Sequence, residues 1–223
     1  MERVLLLAEQ LALVAISEDS GHPRSSTGSR LNACLAGLLV AELALEGAVR
    51  PGDRGDAVVP SDPDRSLSPT LAAAARVVAD KGPRIKAILS HMDRGLTREI
   101  GLGTWDAAVG GLVAAGVMTV VPGRLHPRYD IADPIRRDDI VGRLQAAAAS
   151  DTPLDARTAV VLAMTGPAYL LEVVAPERGA RRHARARIGQ PLGGTFEAIR
   201  RTVVKLIAEA EAAAVAGSVA VTG

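Results

Sequence analysis

A nearly uninterrupted apolar segment, residues 31–45, constrains the fold more than any other part of the chain. Only Asn32 and Glu42 interrupt it, so a helix here would be apolar on every face and must be enclosed by other elements. Such a helix rises about 22 Å, which is shorter than the roughly 30 Å of bilayer hydrocarbon, and Glu42 would be costly in lipid. The segment therefore predicts the central helix of a soluble fold.

Enclosure of this helix has a consequence for Glu42. An unpaired buried charge costs several kcal/mol, so we predict that the carboxylate meets a hydrogen-bond donor or reaches solvent through a gap. At the ends of the helix, Thr27 or Ser29 is the predicted amino-terminal cap. Gly47 is the predicted left-handed residue after the last turn.

Composition limits both the core and the partners. The 223 residues suit one domain, residues 1–223, and aromatic residues make up only 2% of them, so the core must be aliphatic and rich in alanine. The 26 Lys and Arg residues nearly balance the 25 Asp and Glu residues. No global field therefore draws the protein to nucleic acid or membrane, and an anion site would be a local patch.

The cysteine and the amino terminus indicate a cytoplasmic protein. Cys34 is the only cysteine and lies in the central segment, which excludes an internal disulfide, predicts a core thiol and fits a reducing compartment. The apolar amino-terminal run is interrupted by Glu2, Glu9 and Gln10 and has no small-residue cleavage site, so it predicts a first helix rather than a signal peptide. No segment has the roughly 18 uninterrupted apolar residues of a membrane-spanning helix.

Periodicity and turn residues predict a mostly α domain with two short hairpins. The hairpins are expected in residues 48–60 and in residues 117–131, with Pro-Gly turns in both. Residues 92–103, which contain several glycines, are predicted to link two helices. The acidic pair Asp138-Asp139 is predicted to start and cap a helix. The expected helices are residues 4–13, 31–45, 68–78, 85–92, 105–112, 138–149, 154–164, 168–174, 178–188 and 195–216.

Sequence motifs for catalysis or cofactors are missing from the chain. The segment GLGTWD lacks the third glycine of a dinucleotide fingerprint, and neither a phosphate loop nor a GxSxG element occurs. The histidines are dispersed and lack metal-ligand spacing; they are His22, His91, His126 and His183. We therefore predict no catalytic residue, no metal and no cofactor, and a protein that is not an enzyme.

Two groups of basic residues remain as candidates for binding anions. One crowds a short predicted helix and comprises Arg178, Arg181, Arg182, Arg185 and Arg187 with His183. The other comprises Arg94 and Arg98 in the predicted link, with Arg24 and Arg30 beside the entrance to the central helix. Each group has two interpretations: a solvated, structurally ordinary charged face, or a surface for phosphate groups.

Two blocks at the start of the chain carry a family resemblance. LLLAEQLALVAISEDSG, residues 5–21, and LNACLAGLLVAELALEGAV, residues 31–49, resemble in sequence and spacing the opening of the Golgi phosphoprotein 3 family. The segment from GVM to ADP, residues 116–134, resembles the family's helix and hairpin. The resemblance implies a helical domain around a buried helix, with a projecting hairpin. It also implies a non-enzymatic peripheral membrane protein, because the eukaryotic members bind phosphatidylinositol 4-phosphate and act as adaptors for glycosyltransferases.

The family's lipid pocket maps onto this chain only in part. Its tryptophan falls on Thr27, its central-helix arginine on Ala36, and its two further basic residues on Leu102 and Trp105 when no gap is allowed. If the glycine-rich link is an insertion, those two positions become Arg94 and Arg98. The resemblance thus implies a looser headgroup site formed by Arg94, Arg98, Arg30 and Arg24.

The expected function is reversible docking on anionic phospholipid at the inner face of the membrane, with presentation of client proteins. A protein-interaction scaffold that has lost lipid binding is the alternative. A winged-helix-like nucleic-acid binder is disfavoured by the near-neutral charge and scarce aromatics, so no nucleic acid partner is expected. The hairpin tip, PGRLHPR, is polar apart from Leu125, so we expect no tetramer assembled through it.

Overall fold

Ten α-helices and two antiparallel β-hairpins make up the described residues, 3–24, 28–61, 65–124 and 126–220, of this computed structural model. The first part of the chain contains α1 (Leu7–Ala15), α2 (Gly28–Leu45), β1 (Val49–Pro51), β2 (Val58–Pro60), α3 (Pro69–Lys81), α4 (Ile85–Ile100) and α5 (Thr104–Ala114). The second contains β3 (Met118–Val121), β4 (Arg128–Ile131), α6 (Pro134–Ala149), α7 (Ala156–Thr165), α8 (Leu171–Val174), α9 (Ala180–Ile188) and α10 (Gly194–Ala220). The predicted fold class, a mostly α single domain with short hairpins, is confirmed.

Helix α2 lies at the centre of the fold. It packs against α1, α3, α4, α5, α7 and α10, and Leu35, Leu38 and Leu43 are fully buried on its different faces. The prediction of an enclosed central helix is therefore correct. Gly47 has φ +71°, so the left-handed residue after the helix is also confirmed. Thr27 and the side chain of Ser29, the predicted amino-terminal caps, lie outside the described residues.

Cys34 is a core thiol, as predicted. Its side chain is buried in α2, and burial raises the pKa of the thiol to about 12 because the thiolate would be desolvated. The thiol is therefore unreactive near neutral pH.

Helix α1 is shifted along the chain relative to its prediction. Its start is fixed by Glu9, whose carboxylate accepts a hydrogen bond of 2.8 Å from the backbone N–H of Leu6. This bond satisfies one of the donors left free at the start of a helix. The helix then runs through Val14 and Ala15, beyond its predicted end at residue 13, and Ile16 is extended and forms an isolated bridge with Pro23.

The predicted link at residues 92–103 is wrong, because most of it is helical. Helix α4 continues through Gly95 and ends at Gly101, which has φ +72° and donates its N–H to the carbonyl of Thr97 at 2.9 Å. Gly95 does not break the helix; it allows α4 to approach α3. A Cβ at this position would lie only 2.4 Å from Cγ2 of Val77.

Substituting Gly95 with alanine is expected to destabilise the protein by about 1–3 kcal/mol, since the added methyl group overpacks the α3–α4 contact. The matched control is Gly110→Ala in α5, where a Cβ would meet nothing within 4 Å. Removing a helical glycine there is expected to stabilise the protein by about 0.5–1 kcal/mol. Urea unfolding of both variants measures the difference, and equal midpoints would contradict the close packing of the two helices.

Two further helices differ from their predicted bounds. Helix α6 begins at Pro134 because Asp133 accepts a hydrogen bond of 3.0 Å from the N–H of Arg136. The capping role predicted for Asp138-Asp139 is therefore wrong, since both lie inside the helix. Helix α8 has only four residues, because Tyr169, with φ +58°, interrupts the predicted helix of residues 168–174.

Both hairpins are present where they were predicted. In the second, Val120 pairs with Tyr129, and the N–H of Tyr129 donates to the carbonyl of Gly21 at 2.8 Å. Gly21 has φ +66°, and a Cβ there would lie 2.3 Å from Cγ of Arg128. The loop after α1 therefore lies directly against the hairpin. Leu125, on which the expectation about assembly depends, lies outside the described residues.

No helix within the described ranges is long and apolar enough to cross a membrane.

Candidate functional site

A strongly polar cluster in the core, centred on Glu42 of α2, is structural. Glu42 is only 1% exposed, and its carboxylate accepts hydrogen bonds from Arg157 at 2.5 and 3.1 Å and from the N–H of Leu7 at 2.6 Å. Arg157 also donates to the carbonyl of Leu5 at 3.1 Å. The prediction that Glu42 meets a donor is confirmed. The cluster ties the amino-terminal segment and α7 to α2, and a fully bonded carboxylate of this kind supports the fold rather than a reaction.

Arg94 and Arg98, the first pair of predicted headgroup residues, lie on α4 rather than on a loop. Arg98 lies 3.1 Å from Glu99 and 3.6 Å from Asp80. Hydrogen bonds from Arg76 and then from Arg98 lower the pKa of the Glu99 carboxyl, so this acid stays ionised and opposes the charge of Arg98. Arg94 is exposed and has no ion pair within the described part of the chain.

Arg30 and Arg24 are the second predicted pair. As in the first pair, one arginine has an acidic partner and the other has none among the described residues. The guanidinium of Arg30 forms an ion pair with Glu211 of α10 and lies 4.0 Å above the centre of the Tyr169 ring. Both contacts hold it against the body of the protein. Arg24 is exposed, and it has no ion pair among the described residues; its backbone N–H donates to the carbonyl of Ala15 at 2.7 Å.

The elements that carry Arg94 and Arg24 are joined by a chain of contacts. Asp93, beside Arg94, accepts a hydrogen bond of 2.7 Å from the N–H of Thr104 at the start of α5. The next residue, Trp105, donates to the hydroxyl of Tyr129 in β4 at 3.0 Å. Tyr129 in turn contacts the loop that leads to Arg24. Arg94 and Arg98 belong to α4, Arg30 belongs to α2 and Arg24 lies in the loop after α1, so the four predicted arginines come from three different parts of the fold.

Trp105 holds the hairpin in place. Its ring meets that of Tyr129 edge to face, with centroids 5.6 Å apart and planes at 77°. Sequence reasoning placed Trp105 at a basic position of the family pocket and did not identify its partner, because the two residues belong to different elements. The pair leaves Trp105 half-buried and bonded, unlike a tryptophan that projects into a headgroup region.

The basic helix α9 divides into two faces. On the inner side, Arg181 lies 3.1 Å from Glu172; the exposed ring of His183 lies 3.6 Å from Asp151. Arg187 donates to Oε1 of Gln190 at 2.5 Å and to the carbonyl of Thr152. Arg181 and Arg187 fasten α9 to its neighbours, so their guanidinium groups are already engaged.

The outer face of α9 and the turn before it carry a row of arginines: Arg178 in the turn, and Arg182 and Arg185 in the helix. All three are exposed, and none has an ion pair in the part of the chain that the structure describes. Gly179 has helical angles, φ −65° and ψ −38°, so Arg178 follows the helical spacing and residues four and seven positions further on share its face. We call Arg178, Arg182 and Arg185 the arginine row.

Comparison with known protein families identifies the chain. The family described as Golgi phosphoprotein 3 (GPP34) matches residues 7–216. The chain belongs to the Golgi phosphoprotein 3 family. The match begins with the first residue of α1 and ends within α10, so it includes the central helix, both hairpins and the arginine row. The search of curated proteins finds no match. The resemblance stated from residues 5–21 and 31–49 is therefore correct.

No group of three or more His, Cys, Asp or Glu residues in the described segments is arranged to hold a metal ion.

Proposed function

We propose that this Golgi phosphoprotein 3 family member is a non-enzymatic adaptor that docks reversibly on anionic phospholipid at the inner face of the membrane and presents client proteins there. Family membership supports the general role. The observation that carries the proposal is the arginine row, which offers three exposed guanidinium groups with no opposing carboxylate within hydrogen-bonding distance among the described residues.

The arginine row is sufficient for weak, reversible docking. Each Lys or Arg close to an anionic surface contributes about 1 kcal/mol, so three contribute about 3 kcal/mol. Guanidinium groups also donate forked hydrogen bonds to phosphate oxygens. Because the arginine row is exposed and lies in the open, the proposed ligand is anionic phospholipid in general rather than phosphatidylinositol 4-phosphate alone.

The four arginines implied by the family pocket form the second proposed contact. Arg94 and Arg24 are exposed and free of acidic partners in the described ranges, so they can add to the attraction. Arg98 and Arg30 would first have to break their ion pairs with carboxylates before they could bind lipid phosphates. We therefore propose that Arg94 and Arg24 contribute more to lipid binding than Arg98 and Arg30 do.

Flotation with vesicles tests the proposed function. The protein is expected to float with vesicles of phosphatidylcholine and phosphatidylserine at low salt and to remain unbound with phosphatidylcholine alone. Binding should fall steeply between about 0.01 M and 0.15 M salt, because the Debye length shrinks from about 30 Å to about 8 Å. Equal binding to both kinds of vesicle would contradict charge-driven docking.

A protein-interaction scaffold without lipid binding is the alternative function. It is favoured by one observation: Glu211, Glu99 and Asp80 neutralise Arg30 and Arg98, two of the four arginines that the family resemblance implies as headgroup residues. Failure to float with anionic vesicles at low salt would support this alternative over the adaptor that docks on lipid.

A further inference from the structure

An open cleft of about 700 Å³ lies between the loop after α1 and the second hairpin. Four of its lining residues carry basic side chains: His22 comes from the loop, and Arg124, His126 and Arg128 come from the hairpin. No Asp or Glu is among the described residues of the lining. We call this feature the histidine cleft. Its chemistry differs from that of the arginine row, because an imidazole gains a positive charge as the pH falls through about 6.5.

Backbone hydrogen bonds fix the loop beside the hairpin. The N–H of Tyr129 donates to the carbonyl of Gly21 at 2.8 Å, and the N–H of Ser17 donates to the carbonyl of His22 at 2.9 Å. Gly21 has φ +66° and packs so closely on the hairpin that an added Cβ would overlap the side chain of Arg128. The position of His22 beside β4 is therefore set by the fold.

The turn of the hairpin is equally compact. Val121 and Arg128 pair at the end of the two strands, and a Cβ on Gly123 would overlap the carbonyl of His126. Strand pairing and this close approach hold both sides of the turn, on which Arg124 and His126 lie. The basic groups of the loop and of the turn thus converge on one cleft without a rearrangement of either element.

Three of the four basic side chains are available to a ligand. Arg128 is already engaged, since it lies 3.0 Å from Asp130 in two contacts. His22, Arg124 and His126 are exposed, and their side chains form no hydrogen bond or ion pair in the part of the chain that the structure describes.

The acidic groups on the surrounding elements lie outside this cleft. On the loop, Glu18 is paired with Arg137 of α6, and the other charged residues are Asp19 and Arg24. Helix α5, which packs on β3, brings Asp106 in its first turn. None of these residues is among those that line the histidine cleft. Arg124 is thus a permanent and unopposed charge there, and each protonated imidazole adds another.

We propose that the histidine cleft binds a phosphate group, with Arg124 as the permanent cation and with His22 and His126 as donors that strengthen binding below neutral pH. Guanidinium and protonated imidazole groups both donate charge-assisted hydrogen bonds to phosphate oxygens. A metal cation is disfavoured, because Arg124 would repel it. The phosphate belongs either to a soluble ligand or to a lipid headgroup. Because the cleft is separate from the arginine row of α9, this proposal goes beyond the proposed function.

Histidine ring signals in NMR spectra test the site with inorganic phosphate as the probe. The signals of His22 and His126, assigned with His22→Gln and His126→Gln, should move when phosphate is added at constant pH and ionic strength. The signal of His91, whose ring bonds to the carbonyl of Ala87, should stay in place. His183 lies on α9 and reports on the arginine row. Movement of His183 without His22 and His126, or equal movement of all four, would overturn the proposal.

The role of the imidazoles is tested with sulfate, whose charge does not change between mildly acidic and neutral pH. The unmodified protein should bind sulfate about tenfold more tightly at about pH 5.5 than at about pH 7.5. The double variant His22→Gln/His126→Gln should bind equally at both. Equal affinities in the unmodified protein would show that the histidines take no part.

Arg124→Gln tests the permanent charge. This variant should bind inorganic phosphate about fivefold more weakly. The matched control is Arg54→Gln on the first hairpin, because Arg54 is also exposed and without an ion pair among the described residues but lines a different cleft, beside Asp53. Equal losses for the two variants would reduce the effect to net charge and overturn the site.

Flotation with vesicles of phosphatidylcholine and phosphatidic acid at about pH 5.5 identifies the source of the phosphate. Weaker flotation of Arg124→Gln/His126→Gln supports a lipid headgroup, and unchanged flotation together with lost binding of inorganic phosphate supports a soluble ligand. A protein that binds inorganic phosphate in the cleft but never floats contradicts the proposed function alone. A protein that floats while the signals of His22 and His126 ignore phosphate contradicts the histidine cleft alone.

Discussion

Replacing Arg157 with methionine is expected to lower the free energy of unfolding by about 3–5 kcal/mol. The substitution keeps much of the side-chain volume but leaves the Glu42 carboxylate buried with a single remaining donor, the N–H of Leu7. An uncompensated buried charge of this kind is among the most costly single changes a protein can undergo. Equilibrium unfolding in urea at neutral pH measures the loss.

Two controls determine whether the loss comes from the charge. The double variant Glu42→Gln/Arg157→Met removes both charges and keeps an acceptor for Leu7, so it should recover most of the stability. Arg65→Met breaks an exposed pair, since Arg65 and Glu46 are 41% and 40% exposed and 3.2 Å apart, and should cost less than about 1 kcal/mol. Equal losses for Arg157→Met and Arg65→Met would contradict a structural role for the buried pair.

Features that depend on local sequence could be predicted well. The central helix follows from an apolar run that has no polar face to expose, and its end follows from Gly47, which supplies a left-handed residue. Both hairpins follow from Pro-Gly turns between β-prone runs. In each case residues close in sequence determine the outcome, so neighbours in space add little information.

Features that depend on distant neighbours could not be predicted. Gly95 was interpreted as a break, yet it is helical because Val77 of α3 occupies the space that a side chain would need. Asp133 caps α6 in place of Asp138 because Pro134 can start a helix but cannot continue one. A glycine or an aspartate has the same local preference in either role, and only the packing decides between them.

The sequence was sufficient to identify the basic residues of the candidate site. It was not sufficient to identify which of them are paired with acidic residues. The basic groups were identified from the sequence, but their acidic partners were not, because Arg30 meets Glu211 and Arg98 meets Asp80 across different helices. Similarly, Arg181 pairs with Glu172 whereas Arg182 does not form an ion pair in the described part of the chain. Which arginines remain free to meet a phosphate is therefore a property of the tertiary structure.

Neutralising the arginine row is expected to weaken binding to anionic vesicles about a hundredfold at low salt. The triple variant Arg178→Gln/Arg182→Gln/Arg185→Gln removes about 3 kcal/mol of attraction, or about 1 kcal/mol for each residue. The fold should be unaffected, because the three side chains are exposed on α9 and on the turn before it. Flotation across a series of lipid concentrations measures the change.

A charge-matched control shows whether the loss of vesicle binding comes from the arginine row itself or from the lower net charge. Arg65→Gln/Arg76→Gln/Arg128→Gln removes the same charge from exposed side chains that are paired with Glu46, Glu99 and Asp130. It should weaken binding much less than the variant of the arginine row, because lipid contact does not depend on these residues.

Arg94→Gln/Arg24→Gln examines the surface implied by the family pocket. We expect a smaller loss than for the arginine row, since only two free guanidinium groups are removed, and a still smaller loss for Arg98→Gln, whose charge is already opposed by Glu99 and Asp80. If Arg94→Gln/Arg24→Gln removed more binding than the triple variant of the arginine row, the membrane would meet the side of the protein where α5 and the second hairpin join. The arginine row would then be an ordinary solvated face, and lipid docking itself would remain supported.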